Sequence, residues 1–411
     1  MHADLARFDV AIGGGGSVGL ALACGLADAL GEGVRIALLD RAPLDGAARA
    51  DPRASNVSAA SKRLLEALGV WATIAAEAQP VSRIDITDSR LGDAIRPILL
   101  SYDNTLPERE PASYIVENER LRQALLTAAA QRGAVALLGG AAVKAFAADA
   151  HGVHIDRHGE GLRASLLIGA DGRDSRLRQI AGIQITRWRY PQTGIVTSVG
   201  HSRPHDGRAL QHFLPSGPFA ILPLRHNRSA ITWTEDALAA PRLLALEEQL
   251  FRAELARRFD YRLGEITEVG ARASWPLDMH LARALIADRF ALLGDAARLV
   301  HPIAGQGLNL GLRDVAALIE VVVDAARLGL DIGAQPVLER YQRWRRLDSV
   351  VSAATYDGLN RLFSNDWMAL RTARDFGLAV VDRLPALKQF FVAEAAGVSG
   401  EVPKLLRGEL P

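Results

Sequence analysis

Between Phe8 and Asp40 the chain reads strand, glycine turn, helix, strand, and this stretch limits the fold more than any other. Phe8 to Ile12 is a short β-type run that enters four consecutive glycines. Leu20 to Leu30 follows as a helix, and Val34 to Leu39 as a second buried strand. Within the turn, Gly14-Gly15-Gly16-Ser17-Val18-Gly19 matches G-x-G-x-x-G, and Asp40 ends the next strand 21 residues after Gly19. Each position has a physical task. Gly14 makes the tight turn, Gly16 lets the backbone approach a pyrophosphate, and Gly19 lets the helix pack on the strand. The phosphates would sit at the helix N-terminus, where free N–H groups favour anions. Asp40 would accept hydrogen bonds from ribose hydroxyls and repel a 2′-phosphate, which points to NAD or FAD at the adenosine end. Gly13 departs from the usual pattern, in which a branched residue ends this strand.

Composition narrows the class. The 411 residues are 49% apolar and 23% charged, so the chain is globular and long enough for two or three domains. Net charge is +1, and 44 of the 48 basic residues are Arg, so no global field draws in nucleic acid. The lone Cys24 excludes an internal disulfide and a cysteine-only metal site, and fits a reducing compartment. Charges in Met1 to Arg7 argue against a signal peptide, and no run of about 18 uncharged apolar residues exists. The longest apolar helical segment, Val315 to Ala326, is broken by Glu320 and Asp324. The expectation is a cytoplasmic protein that would meet a membrane only from the side.

Further along, Val57 to Leu68 is amphipathic at helical spacing, and Glu119 to Arg132 is helical up to Gly133. Ile84 to Thr87, Ile95 to Tyr102, Val135 to Leu138, Ala141 to Phe146, Val153 to Asp156 and Ser165 to Ile168 read as strands. From Tyr190 to Trp233, Pro, Gly and His punctuate short strands, including Phe219 to Leu224 and Ser229 to Thr234, which suggests a separate mixed or antiparallel sheet. Leu243 to Phe259 reads as a helix and Ala273 to Leu277 as a strand. Phe290 to Leu293 is another strand, a long helix covers Gln306 to Leu328, and the remainder is mostly helical. No linker stands out, so the expected fold is α/β with intertwined parts. A FAD-binding Rossmann-like domain would comprise 1–80, 103–185 and 286–345. A mixed or antiparallel substrate domain would comprise 81–102 and 186–285, followed by a helical segment at 346–411.

Two more stretches carry chemistry. Gly169-Ala170-Asp171-Gly172-Arg173-Asp174-Ser175-Arg176-Leu177-Arg178 follows a strand, with Asp171-Gly172 as a turn pair and Arg178 as either a solvated helix-face charge or a site residue. Gly294-Asp295-Ala296-Ala297 again follows a strand, placing a carboxylate where ribityl hydroxyls could bind. His301-Pro302-Ile303-Ala304-Gly305-Gln306-Gly307-Leu308-Asn309 then forms a rigid turn into a helix start, a positive pole suited to an anionic ring edge. Three glycines by Gly311, a Gln and an Asn are unfavourable for a plain helix start, which argues for a site. His301 could be an acid or base, or a residue that fixes the loop.

With these three stretches in order, the sequence resembles the FAD-dependent aromatic hydroxylases of the p-hydroxybenzoate hydroxylase fold, and within them the ubiquinone-biosynthesis hydroxylases. The run from His301-Pro302 through Ala304-Gly305-Gln306-Gly307-Leu308-Asn309-Leu310-Gly311 is that subfamily's signature. Asp51-x-Arg53, Leu68-Gly69-x-Trp71, Glu117-Asn118-x-x-Leu121, Phe213-x-Pro215-x-Gly217, Leu222-Pro223-Leu224 and Tyr341-x-x-x-Arg345 support it. The resemblance implies that Gly14, Gly16, Ser17, Val18, Gly19, Asp40 and Arg41 hold the ADP half of FAD, and that Arg53 and Asn118 meet its ribityl and phosphate region. It implies a link of Asp171 and Gly172 to both FAD and NAD(P)H. Asp295 would bind ribityl or pyrophosphate, and Gly305, Gln306, Gly307, Leu308 and Asn309 would meet the flavin. Pro302 would lie between flavin and substrate, with Phe213, Leu222 and Pro223 as apolar pocket walls. Arg298 departs from the family, which usually has His there.

The implied activity is hydroxylation of a prenylated phenol with NAD(P)H and O2 through a flavin C4a-hydroperoxide. NAD(P)H would bind transiently, since only one nucleotide turn is present. No metal-ligand spacing and no Ser-His-Asp order appears. Two alternatives remain at this level: a flavin reductase or dehydrogenase of the same fold, and a non-catalytic FAD-binding subunit among the enzymes of ubiquinone biosynthesis. Expected partners are the phenol, O2 and other enzymes of that route, not nucleic acid. Contact with the inner membrane would be peripheral.

Overall fold

The computed structural model describes residues 5–46, 51–93, 96–157, 159–365 and 367–411. Ile95 and the first four residues of the charged N-terminus lie outside this set.

A parallel sheet forms around the first strand. Ala6–Gly13 pairs in parallel with Ile36–Leu39 on one side and with Glu160–Gly169 on the other. The sheet continues to Val135–Leu138 and, at the opposite end, to Phe290–Leu292. Buried on both faces, these strands are near-continuous runs of Val, Ile, Leu and Ala. Their register aligns the carboxyl ends: Gly13 lies opposite both Leu39 and Gly169, and Gly169 opposite Leu292. The three chemical stretches and Asp40 therefore leave the sheet at one level along one edge.

Helix Ser17–Leu30 packs on this sheet and is buried continuously from Gly19 to Ala27, as an apolar-all-round helix must be. Helix Gly307–Arg327 crosses it so closely that a Cβ on Gly25 would come within 2.4 Å of Ile319. Gly13 fits the same packing: a Cβ there would come within 2.3 Å of the end of the Leu177 side chain, which would have to shift where the second motif's helix packs.

The second sheet has nine strands, built around the long Ile185–His201, with Ala273–Ala282 and Arg228–Asp236 antiparallel to it. Among the described residues its one parallel pairing joins Arg83–Asp88 to Arg208–Leu214. One face carries Leu210, Ile221, Ile231 and Trp233, closed by helix Glu248–Ala256 through Phe251 and Leu255. The other face looks towards the nucleotide-type domain. Helices Gln335–Phe363, Met368–Arg383 and Pro385–Ala396 complete the chain. No helix among the described residues is long and apolar enough to cross a membrane.

Several elements differ from the sequence reading. Val57 and Ser58 end a strand, Ala54–Ser58, and the helix begins at Ala59, capped by Ser58, whose hydroxyl accepts from Ser61 N. Helical periodicity extended into the strand because the buried Val57 stands at helical spacing from Ala60 and Leu64. The strand read from Ile95 is confined to Leu100–Asp103, and that read at Ala141–Phe146 lies at Ala145–Asp149. Leu243–Phe259 is two short helices, Ala240–Leu244 and Glu248–Ala256, because the chain turns between Ala245 and Glu247.

Candidate active site

The glycines of the first turn divide by what surrounds them. Gly14 has φ +126°, and a Cβ would strike the Ala170 carbonyl at 2.2 Å; at Gly19 a Cβ would strike the Gly14 carbonyl at 2.0 Å. Both are required by the protein's own packing. Gly16, at the N-cap of the helix, would meet nothing within 4 Å. Its bare backbone faces open space at a helix N-terminus, a cradle that a side chain would fill. Ser17 opens the helix and is half-buried, and Val18 wedges its side chain between Gly294 and Gly311. Asp40 accepts from the backbone N–H of Gly15 at 2.6 Å and of Ala42 at 2.8 Å, and so holds the turn itself. Arg41, next to it, is exposed.

At the second helix start the pattern recurs. Pro302–Ala304 forms a tight turn closed by Gly305, which is left-handed at φ +61° and whose N–H donates to the Pro302 carbonyl at 3.0 Å. Gly307 begins the 21-residue helix, and a Cβ there would meet nothing within 4 Å. No acidic residue occupies the first turn and no side chain caps it, so the positive end of the helix is bare. Leu308 is partly buried against the main core. Asn309 has a different task from the cofactor contact expected of it. Its Oδ1 accepts from Ser58 N at 3.0 Å and Ser61 Oγ at 2.8 Å, and its Nδ2 donates to the Asn56 carbonyl at 2.8 Å and Gln306 Oε1 at 3.0 Å. All four capacities of the amide are used. Asn309 ties the flavin-type loop to strand Ala54–Ser58, and only its backbone could face a ligand.

Asp295 sits between these two helix starts. Its residue is exposed to solvent. Desolvation by the surrounding protein nonetheless pushes the carboxyl above its ordinary range, against the pull of Arg53, Arg298 and Arg173. Arg53 reaches over the ring of Trp275 at 5.6 Å and is clamped by Asp51 through two bonds of 2.7 Å, which holds its guanidinium above its usual range. Asn118 braces this clamp: its N–H donates to the Arg53 carbonyl at 3.0 Å, and its side chain accepts from Ser55 Oγ at 2.7 Å.

Asp171 is used largely by its own turn. It accepts from Ser175 Oγ at 2.5 Å and Leu177 N at 3.1 Å, while Gly172 takes φ +83°. Arg178 is not a solvated helix-face charge. It is 4% exposed and donates to the Ala296 carbonyl at 2.8 Å, joining the second stretch to the third. His280 Nε2 reaches the Asp295 carbonyl at 3.0 Å from the second sheet.

Behind Asp295 lies a charge network that the sequence reading missed. Asp314, fully buried, accepts from Arg298 at 2.8 Å, Arg345 at 2.8 Å and the Gly294 N–H at 3.0 Å. Arg298 also donates to the Leu310 carbonyl at 2.6 Å, and Tyr341 donates to the Leu292 carbonyl at 2.8 Å. The departure at Arg298 is thereby absorbed structurally, and the Tyr341-x-x-x-Arg345 pattern anchors the Gly294-Asp295 turn. Only the i,i+4 spacing of Tyr341 and Arg345 signalled it; nothing local marks Asp314.

On the substrate side, Phe213 stacks on Phe363 with centroids 4.0 Å apart and packs with Ile303 of the Pro302 turn. Leu222 and Pro223 are neighbours in one strand and therefore point to opposite faces, so they cannot line one pocket. Leu222 packs with Val81, Ile115 and Ala230 between the two domains. His301 is 1% exposed, lies edge-on to Tyr190 at 5.2 Å, and has no hydrogen-bond partner on either ring nitrogen. It does not fix the loop by hydrogen bonding, and burial lowers its pKa to about 4.

The residues present fit FAD: two bare helix starts, glycines with nothing beside them, and an unbonded carboxyl share one cleft. Comparison with known proteins agrees. The family described as FAD binding domain matches residues 7–347. The chain is 44% identical over 406 residues to ubiquinone hydroxylase UbiL of Rhodospirillum rubrum, covering 97% of this chain and 92% of that one. It is 35% identical over 395 residues to 3-demethoxyubiquinol 3-hydroxylase of Escherichia coli, covering 95% and 98%. In structure it is similar to p-nitrophenol 4-monooxygenase PnpA of Pseudomonas putida, with TM-score 0.80 at 18% identity, covering 97% of this chain and all of that one. The chain thus belongs to the FAD-dependent aromatic hydroxylase family, in its ubiquinone-biosynthesis branch.

Proposed function

We propose that this enzyme hydroxylates the aromatic ring of a prenylated phenol on the route to ubiquinone, using FAD, NAD(P)H and O2. The observation that carries the reading is the cleft at the sheet's carboxyl edge, where Gly16 and Gly307 leave two helix starts bare on either side of Asp295. The names of the two relatives support the substrate class. Bound FAD supplies the redox and oxygen chemistry; the chain supplies position, charge and dryness.

Gly16 and Ser17 would hold the pyrophosphate by their backbone, and Asp295 would accept from ribityl hydroxyls. The bare start of helix Gly307–Arg327 would stabilise negative charge at the ring's pyrimidine edge. Ile303, Phe213 and Phe363 pack together beside the Pro302 turn, and this apolar cluster would help keep water from a ring bound there. Exposed Trp367, Phe390 and Phe391 on the C-terminal segment support peripheral contact with a bilayer, where a prenylated substrate resides. The two-sheet plan supports the division at 1–80, 103–185 and 286–345 against 81–102 and 186–285, with 346–411 as a helical appendage.

The test is NAD(P)H oxidation by purified holoenzyme with and without 2-geranylphenol, with oxygen-18 incorporation read by mass spectrometry. Phenol-stimulated oxidation with one labelled oxygen in the ring is expected. Oxidation indifferent to the phenol, with no labelled product, would instead indicate a reductase.

A further inference from the structure

Where helix Gln335–Phe363 crosses strand Ala273–Ala282, close to the start of strand Ile185–His201, it leaves a hollow of about 300 Å³. Trp188, Leu281, Leu285 and Val350 give the hollow an apolar wall, and Arg283 and Arg346 also line it. It is separate from the site described above. No residue assigned to FAD lines it, and Val350 stands roughly 20 Å along the helix from Phe363 of the cluster beside the Pro302 turn. Its rim is held in place by backbone bonds. The Arg283 N–H donates to the Gln184 carbonyl at 2.8 Å, the Ala282 N–H to the Ala297 carbonyl at 2.9 Å, and the Leu285 N–H to Gln342 Oε1 at 2.9 Å.

The two cations of this hollow are unmatched. No carboxylate lines it, and among the described residues neither guanidinium has a hydrogen-bond or ion-pair partner. That sets Arg346 apart from its own helix. Arg340, Arg343, Arg345 and Arg361 each meet a carboxylate, on Asp324, Glu339, Asp314 and Asp357 respectively. The acid closest to Arg346 in sequence, Asp348, is taken by Arg313 and Arg345. Planar guanidinium forks match phosphate oxygens. A small anion alone would leave the apolar wall uncovered, and a neutral hydrocarbon would leave both charges unanswered. Past Val350 the surface stays apolar, with Leu347 and Val351 exposed beside it on the helix.

We propose that this hollow binds a phosphate ester carrying a hydrocarbon chain, its head held by Arg283 and Arg346 and its chain laid on Trp188, Leu281 and Leu285. A lipid at a bilayer surface and a free alkyl or prenyl phosphate share this chemistry.

The experiment titrates FAD-loaded enzyme by calorimetry with inorganic phosphate, hexyl phosphate and octyl phosphate, all dispersed as monomers. Each buried methylene is worth roughly fourfold in affinity, so octyl phosphate should bind about fifteenfold tighter than hexyl phosphate, and inorganic phosphate weakest. Arg283→Gln and Arg346→Gln change exposed side chains and should leave the fold and the bound FAD intact. Each should weaken octyl phosphate binding roughly threefold to tenfold. Ala284→Trp, which puts a large ring into the hollow, should remove that binding from a protein that still holds FAD. Sedimentation with phosphatidylcholine vesicles, with and without phosphatidylglycerol, separates the two sources. Retention that requires both phosphatidylglycerol and the two arginines assigns the site to a bilayer lipid; octyl phosphate binding without retention assigns it to a free amphiphile. Octyl phosphate that binds no tighter than inorganic phosphate would overturn the proposal. So would equal affinity in wild type and all three variants, since the chain would then sit elsewhere in the protein.

Discussion

Replacing Asp314 tests how the site is held from behind. Its carboxylate is the shared acceptor for Arg298 and Arg345, which are 2% and 3% exposed, and for the Gly294 N–H. Asp314→Asn keeps the shape and one carbonyl acceptor but leaves two buried guanidinium groups without their common counter-charge. Arg345 retains Asp348 at 2.5 Å; Arg298 has no other carboxylate among its hydrogen bonds. Removing one partner of a buried ion pair typically costs about 3–5 kcal/mol, because the remaining charge stays desolvated. Against a total of roughly 5–15 kcal/mol for a folded domain, that is a large fraction. Asp314→Ala adds the loss of the bond to Gly294, about 1 kcal/mol more. Since Gly294 is adjacent to Asp295, FAD affinity should fall along with stability, more in the Ala than in the Asn variant. Urea unfolding of apoprotein and fluorescence titration with FAD measure the two effects separately. An Asp314→Asn protein within about 1 kcal/mol of wild type and with unchanged FAD affinity would refute the claim that this network carries the turn.

Asp295→Ala should behave in the opposite way: the carboxylate holds no hydrogen bond among the described residues, so apoprotein stability should not fall, while FAD affinity drops roughly tenfold to a hundredfold. Unchanged FAD affinity would remove Asp295 from the site. Gly307→Val should fold, since a Cβ there meets nothing, but bind FAD weakly and slow flavin reduction by NAD(P)H in stopped flow. Gly16→Val should lose FAD without a selective effect on reduction at saturating cofactor, and equal reduction rates for Gly307→Val and wild type would make that loop a plain helix start. Three buried histidines, His212, His280 and His301, each with a pKa lowered to about 4 mainly by burial, contribute to acid sensitivity. Because the unfolded chain takes up these protons near pH 6.5 and the folded one does not, stability should be full above pH 6.5 and fall steadily towards pH 4, by up to about 3 kcal/mol per histidine. His301→Leu should flatten that slope in a pH series of urea midpoints; an unchanged slope would mean that the ring is protonated in the fold.

The nucleotide-binding half was legible because its physics is local. A strand, a tight turn and a helix lie consecutively, and both glycine spacing and apolar runs are properties of short windows. The same holds for the helix start at Gly307 and for the carboxylate at Asp295. What the windows could not show is how residues far apart share one atom. Asp314 looks like any helical aspartate until the fold brings Arg298, Arg345 and Gly294 to it. Asn309 reads as a flavin contact until Ser58, Ser61 and Asn56, some 250 positions away, use up its amide. Gly13 reads as an anomaly until Leu177 arrives beside it. The substrate side was least legible. Which side chains of an antiparallel sheet face a cleft depends on register, and a shift of one residue exchanges the two faces. Leu222 and Pro223 could be named together from sequence, but a pleated strand separates them. Arg283 and Arg346 likewise share no sequence signature, because they come from distant parts of the chain and line one hollow only once helix Gln335–Phe363 lies against strand Ala273–Ala282.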